Sequence, residues 1–233
     1  ELEKSEEVGT SNDVNIEKIV SLNPDVVIAH PQLNKEAIPT LEDIGIDVIQ
    51  TGANSIDDVK QSIHLIGKLV NQEDKADELV TNINEKLDEL NEQKSVELRT
   101  LVVFGVAGNW MAALPDSLSG NLLEAVGHIN IATDYPKLER FPQYAQLESE
   151  KIVQADPEVI LFITPGPFEE AVTAFSEEME KNPAWNNIKA VKNDHFINLP
   201  NELFGANPGS EIIHSLDYLA NEMGKIAEQY IES

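Results

Sequence analysis

The chain has 233 residues, of which 41% are hydrophobic and 25% charged, a balance that supports a buried core in one large domain or two small lobes. Its 42 Asp and Glu against 16 Lys and Arg leave a net charge of −26. That field repels phosphate backbones and anionic lipid, which argues against nucleic acid and suits either solubility alone or docking on a basic partner. The absence of Cys excludes disulfides, Cys-ligated zinc, iron–sulfur clusters and thiol catalysis. No apolar run approaches the 18 residues of a membrane span, and the first seven residues carry five charged side chains in place of a signal-peptide h-region.

Helix and strand signals alternate from the start. Residues 14–22 read as a short helix, Asn23-Pro24-Asp25 breaks it, and the apolar run 26–29 is a buried strand. Residues 35–43 form the next helix, stopped by Gly45, and 47–50 the next strand. Ile56, Val59, Ile63, Ile66 and Val70 keep a helical period over 55–69, with Ser55 and Asp58 as a capping pair. Residues 73–98 lack Gly and Pro and repeat apolar positions at helical spacing. A helix there would be about 35 Å long, enough to join two lobes rigidly. The second half repeats the alternation: strand 101–104, helix 118–126 stopped by Gly127, helix 148–154, strand 159–163, helix 168–181, a short strand within 193–199 and a terminal helix over 210–232. This order predicts an α/β fold with parallel sheets.

The chain also resembles itself. Residues 15–29 (NIEKIVSLNPDVVIA) and 148–162 (ESEKIVQADPEVILF) align at an offset of 133 with six identities, among them Glu17 with Glu150 and Pro24 with Pro157. Each copy places two apolar residues on a sheet, stops its helix at a Pro that lacks an N–H, and continues as a strand. Two related Rossmann-like lobes follow: an N-terminal lobe over 1–72, a linking helix over 73–98 and a C-terminal lobe over 99–233.

Ligands of such sheets bind beyond the carboxyl ends of the strands, so the expected cleft lies between the lobes. His30 ends a strand there, and a neutral imidazole can ligate iron. Trp110 and Met111 follow a strand end and can form an aromatic wall or pack in the core. Tyr144 offers a phenolate to ferric iron or haem, and Tyr135 is a weaker version of it. Arg140, one of only two arginines, can pair with a ligand carboxylate, whereas Arg99 at the end of the linking helix reads as structural. Glu17 and Glu150 each suit the positive end of a helix. His64, His128, His195 and His214 fall in helices or on surfaces, and no pair has the HExxH spacing of a zinc enzyme.

The repeated unit, the long helix and the stretch Ser117-Leu118-Ser119-Gly120-Asn121 through Gly127 resemble class III substrate-binding proteins of ABC transporters, which bind ferric siderophores, haem or cobalamin. Phe104 through Trp110, Phe168-Glu169-Glu170 and Glu202-Leu203-Phe204-Gly205 are most similar to Gram-positive haem-receptor lipoproteins. The resemblance implies an extracytoplasmic, monomeric protein, either a cell-surface lipoprotein or periplasmic. It would deliver an iron complex to a permease dimer and its ATPase, and Glu17 and Glu150 would dock on permease arginines. It implies a lipid-modified Cys and a further strand–helix unit upstream of Val8. It adds Phe204 to the ligand surface. The Met and His that ligate haem iron in those receptors fall near Ser11-Asn12 and on Pro165, so neither ligand is retained and a siderophore competes with haem.

Other classes fit less well. There is no GxSxG and no P-loop, and Gly105-Val106-Ala107-Gly108 lacks the third glycine of a dinucleotide fingerprint. A metallocluster enzyme of two doubly wound lobes is opposed by the missing Cys. A cobalamin importer protein of the same fold and an acidic adhesion module are the remaining alternatives.

Overall fold

The computed structural model describes residues 5–10, 13–93, 96–164, 167–205 and 207–231. The chain forms two compact units, Glu1–Gly52 and Ala53–Ser233.

In the first unit, a small antiparallel pair, β1 (Gly9–Thr10) and β2 (Asp13–Val14), precedes α1 (Ile16–Leu22). Asn15 caps α1 by accepting the Lys18 N–H at 2.9 Å, which satisfies one of the free donors of a helix start. The helix ends on Asn23 in the left-handed region (φ 47°, ψ 58°), and Pro24 then prevents its continuation. β3 (Val27–Ala29), α2 (Ala37–Asp43) and β4 (Val48–Gln50) follow, with β3 and β4 parallel. Gly45 closes α2 at φ 86°: its N–H reaches the Glu42 carbonyl and that of Ile46 the Leu41 carbonyl, the paired bonds of a glycine-terminated helix.

The second unit opens with α3 (Ile56–Leu69) and α4 (Glu73–Glu92). α3 begins at the expected Ser55 cap, whose Oγ accepts the Asp58 N–H at 3.1 Å. The sequence grouped residues 56–72 with the first lobe; here Ile56 and Val59 of α3 and Ile83 of α4 enter the core of the second unit. α4 spans 20 residues, about 30 Å. Its Ala76 and Ile83 are buried, and Lys86 bridges Asp217 at 2.6 Å and Glu89 at 2.9 Å.

β5 (Arg99–Val106), β6 (Asn109–Ala113), α5 (Leu118–Ala125), β7 (Ile129–Asn130), β8 (Tyr144–Gln146), α6 (Ser149–Ala155) and β9 (Val159–Ile163) follow, then α7 (Phe168–Met179), α8 (Lys189–Lys192), β10 (Phe196–Asn198), α9 (Asn201–Phe204) and α10 (Ile212–Ile231). The six-stranded sheet runs β10-β9-β5-β6-β8, with β7 pairing the start of β5. β10, β9, β5 and β7 are parallel, but β6 is antiparallel to both β5 and β8. The sheet is therefore mixed, and residues 109–113, of which 109–111 were read from sequence as part of a strand-end loop, form a hairpin strand. The turn is the two-residue Ala107-Gly108, with Gly108 at φ 78°, a conformation that glycine adopts without steric cost.

Apolar residues alternate to the two faces of this sheet. Val102, Ala113, Val159 and Leu161 meet α3, α5 and α10 on one face, while Leu101, Val103, Ala112 and Phe162 meet α7 on the other.

The internal repeat persists in three dimensions. α6 ends on Asp156 at φ 47°, ψ 63°, matching Asn23, and each cap precedes a Pro and a strand. Asn and Asp are the side-chain-bearing residues that tolerate this conformation best. Ile19 and Ile152, equivalent in the repeat, are both buried.

Candidate functional site

In the first unit His30 directly follows β3, at the carboxyl end of a parallel strand as expected. A closed turn holds it. Its backbone N–H donates to Asn34 Oδ1 at 2.8 Å, and its carbonyl accepts the Asn34 N–H at 3.0 Å. The ring Nδ1 accepts the backbone N–H groups of Gln32 at 3.2 Å and Leu33 at 3.3 Å. Burial lowers the imidazole pKa, because a low-dielectric setting disfavours the charged ring. Asn34 was not singled out in the sequence; its spacing of four from a strand-ending His is the local signal that an Asx-type side chain closes this loop.

Glu17 lies in the first turn of α1 and is exposed. In the second unit Glu150 occupies the first turn of α6 and is also exposed. Its end of the sheet follows from topology. β8 is antiparallel to β6, which is antiparallel to β5, so β8 ends at the carboxyl end of the parallel strands. Gln146 is its last residue, and Glu150 comes four residues later.

The other sequence candidates belong to the second unit, and they separate. Trp110 lies on β6, 7% exposed, with edge-to-face contacts to Phe162 and Phe175 at 6.2 and 5.6 Å. It is a core residue. Its indole Nε1–H is buried without a partner, a cost of about 1–3 kcal/mol offset by the aromatic packing. Phe204 is 4% exposed and packs on Tyr218 at 6.0 Å, also in the core. Met111 faces the opposite side of β6 from Trp110, in register with Phe104, and is half-buried.

Tyr144 stacks on Phe104 with ring centroids 5.1 Å apart and planes 29° from parallel. The two residues come from β8 and β5, with β6 between them, and Ala113, paired with Tyr144, lets the rings meet. Burial raises the Tyr144 pKa, so its phenol is protonated at neutral pH. Tyr135 is pushed up to about 12 by burial and the nearby Glu148 charge. Arg140 is exposed in the loop between β7 and β8, with its guanidinium 5.3 Å from the Phe141 ring centroid, within range of a cation–π contact. Arg99 bonds the Ala155 carbonyl through Nε at 3.1 Å and a terminal nitrogen at 2.6 Å, a structural role as expected. Pro165 and Ser11-Asn12 lie outside the described residues.

Among the described residues no cluster of three or more His, Asp or Glu is arranged to hold a metal ion, and no helix is long and apolar enough to cross a membrane. Parallel strands ending in polar loops, with an exposed carboxylate at an equivalent helix start in each unit, are the plan of a binding protein built from two α/β units. The chain belongs to the periplasmic binding protein family, which residues 1–203 match. A high-affinity heme uptake system protein, IsdE of Staphylococcus aureus, is 25% identical over 202 residues, covering 85% of this chain and 68% of that protein. The crystal structure of S. aureus IsdE complexed with heme superposes with a TM-score of 0.79 at 24% identity, over 95% of this chain and 85% of that one. An ABC transporter substrate-binding protein from Listeria monocytogenes superposes with a TM-score of 0.81 at 23% identity, over 95% and 84% of the two chains.

Proposed function

We propose that this chain is the extracytoplasmic solute-binding component of an ABC importer that captures a ferric complex, haem or a ferric siderophore, and releases it unchanged to a permease. The observation that carries the proposal is the doubled helix–cap–Pro–strand unit. Glu17 and Glu150, 133 residues apart in sequence, occupy the first turn of equivalent helices in separate units. Two exposed carboxylates so placed suit a partner of two subunits that offers one basic site to each. The ligand class is supported by the haem-uptake relative.

In this reading Arg140, on its Phe141 shelf, takes a ligand carboxylate through charge-assisted hydrogen bonds. Met111 and Tyr144, on the same sheet as each other, supply further contacts. Trp110 and Phe204 act from behind, by fixing the strands. The protein works as a monomer at the cell surface or in the periplasm, and its ATPase partner sits beyond the permease.

The test is a parallel titration with haemin, a ferric hydroxamate, a ferric catecholate and cobalamin, followed by tryptophan fluorescence and visible absorbance. Saturable binding of one iron complex at submicromolar concentration is expected. Binding of cobalamin alone would reassign the ligand to a corrinoid. No binding of any of the four would overturn the importer reading in favour of an acidic interaction module.

A further inference from the structure

We propose that His30 meets the ligand as a hydrogen-bond donor, through Nε2–H, and recognises an anionic oxygen of the complex instead of coordinating its iron. The inference rests on the reading that the ligand is a ferric complex and defines what one residue of that site does.

The geometry fixes the tautomer. A neutral imidazole has one nitrogen that donates and one that accepts. Nδ1 accepts two backbone N–H groups, those of Gln32 and Leu33, so the ring proton resides on Nε2. Among the described residues Nε2 has no partner. Coordination through Nε2 needs a lone pair there, hence a proton on Nδ1, which would set three N–H groups against one another. It would also leave two backbone donors unpaired, and unpaired donors are costly where they are shielded from water. Coordination through Nδ1 would break the same two bonds. The turn gives little room for rearrangement, because the Asn34 side chain and backbone clasp both the N–H and the carbonyl of His30. What remains is a fixed N–H donor at a strand end, suited to a carboxylate or a chelating oxyanion; hydrogen bonds to charged acceptors are the stronger kind.

The acceptor has two possible sources, a haem propionate and a siderophore oxygen, and the test separates them. His30→Asn keeps an acceptor oxygen where Nδ1 stands, so the bonds from residues 32 and 33 survive, but it removes the distal donor. Wild-type and H30N proteins are titrated with haemin, haemin dimethyl ester and a ferric catecholate, with Soret position and electron paramagnetic resonance recorded for the haem complexes. The expected result is a loss of affinity of about ten- to a hundred-fold with no change in either spectrum. A loss for haemin that vanishes with the dimethyl ester assigns the propionate, and a loss confined to the catecholate assigns the chelate oxygen. A shifted Soret band or altered iron signal in H30N would overturn the proposal by making His30 an iron ligand, and unchanged affinity for all three probes would overturn it outright. If the wild-type protein binds none of these probes, this proposal falls, whereas the importer reading falls only if a ferric hydroxamate and cobalamin also fail to bind.

Discussion

Acid should weaken the second unit through one histidine whose cost can be separated from the background. His128 is buried where α5 hands over to β7, with Nδ1 accepting the Leu98 N–H at 3.2 Å. Burial pushes its pKa from 6.5 down to about 4, against a smaller upward pull from a hydrogen bond to the Val96 backbone. The fold thus prefers the neutral ring. A folded pKa below the unfolded one means a contribution fully present above pH 6.5 and lost as pH falls toward 4. The gap corresponds to about 3 kcal/mol when complete and to about 2 kcal/mol by pH 5. Every carboxylate titrates over the same range, so acid unfolding of wild type alone decides nothing. The informative comparison is with His128→Gln, which does not titrate and shares all other charges. Both tryptophans, Trp110 and Trp185, lie in the second unit with His128, so urea titrations followed by tryptophan fluorescence report the relevant unit. The stability advantage of wild type over H128Q should shrink by about 2 kcal/mol between pH 7.5 and pH 5. An advantage that stays constant would show that His128 is not held neutral, and the reasoning from its burial would be refuted.

Glu17→Ala combined with Glu150→Ala should abolish uptake and binding to the reconstituted permease while leaving ligand affinity unchanged; a fall in affinity would show that these carboxylates belong to the ligand site. Ala113→Leu should force Phe104 and Tyr144 apart and cost about 1–3 kcal/mol, read as a lowered midpoint in urea. Gly105→Ala should destabilise by a similar amount, because the residue sits at φ 130° and an added Cβ would collide with the Asn109 carbonyl. Asp156→Ala should lose about 1–2 kcal/mol for the left-handed cap, plus the bond from the Lys189 N–H to Asp156 Oδ1. Asp156→Asn should restore most of that stability.

Much of this was legible in the sequence, because the signals were local. Ser55 caps its helix as read, and Gly45 and Gly127 stop theirs at the same φ of 86°; the cap of the first helix, read from sequence as Asp13, is Asn15. The repeat led to Pro24 and Pro157, and the structure adds the matched left-handed caps before them. What failed was β6. Residues 109–113 read Asn-Trp-Met-Ala-Ala, without the β-branched residues that mark strands, and the turn before them uses Ala-Gly, a weaker hairpin signal than Asn-Gly. Missing that strand left Trp110 open between a ligand wall and the core, whereas strand alternation sends it into the core and Met111 to the opposite face. The grouping of residues 56–72 was illegible for another reason: periodicity shows that a helix has an apolar face but not which sheet that face covers. For His30 the sequence supplied the strand end, while the direction of its ring depends on Asn34 and two backbone amides.

The join between β8 and α6 has a mechanical consequence. Only Leu147 and Glu148 separate Gln146, the last residue of the strand, from Ser149, the first of the helix; β8 is hydrogen-bonded to β6 and α6 within itself. Tyr144 and Glu150 therefore stand at two ends of one short, stiff span, six positions apart. A shift of the end of β8 would meet only two residues before the first turn of α6. The spacing between these two residues is thus under a constraint of length as well as of chemistry: inserting a flexible residue pair after Gln146 would leave every side chain present yet turn a lever into a hinge.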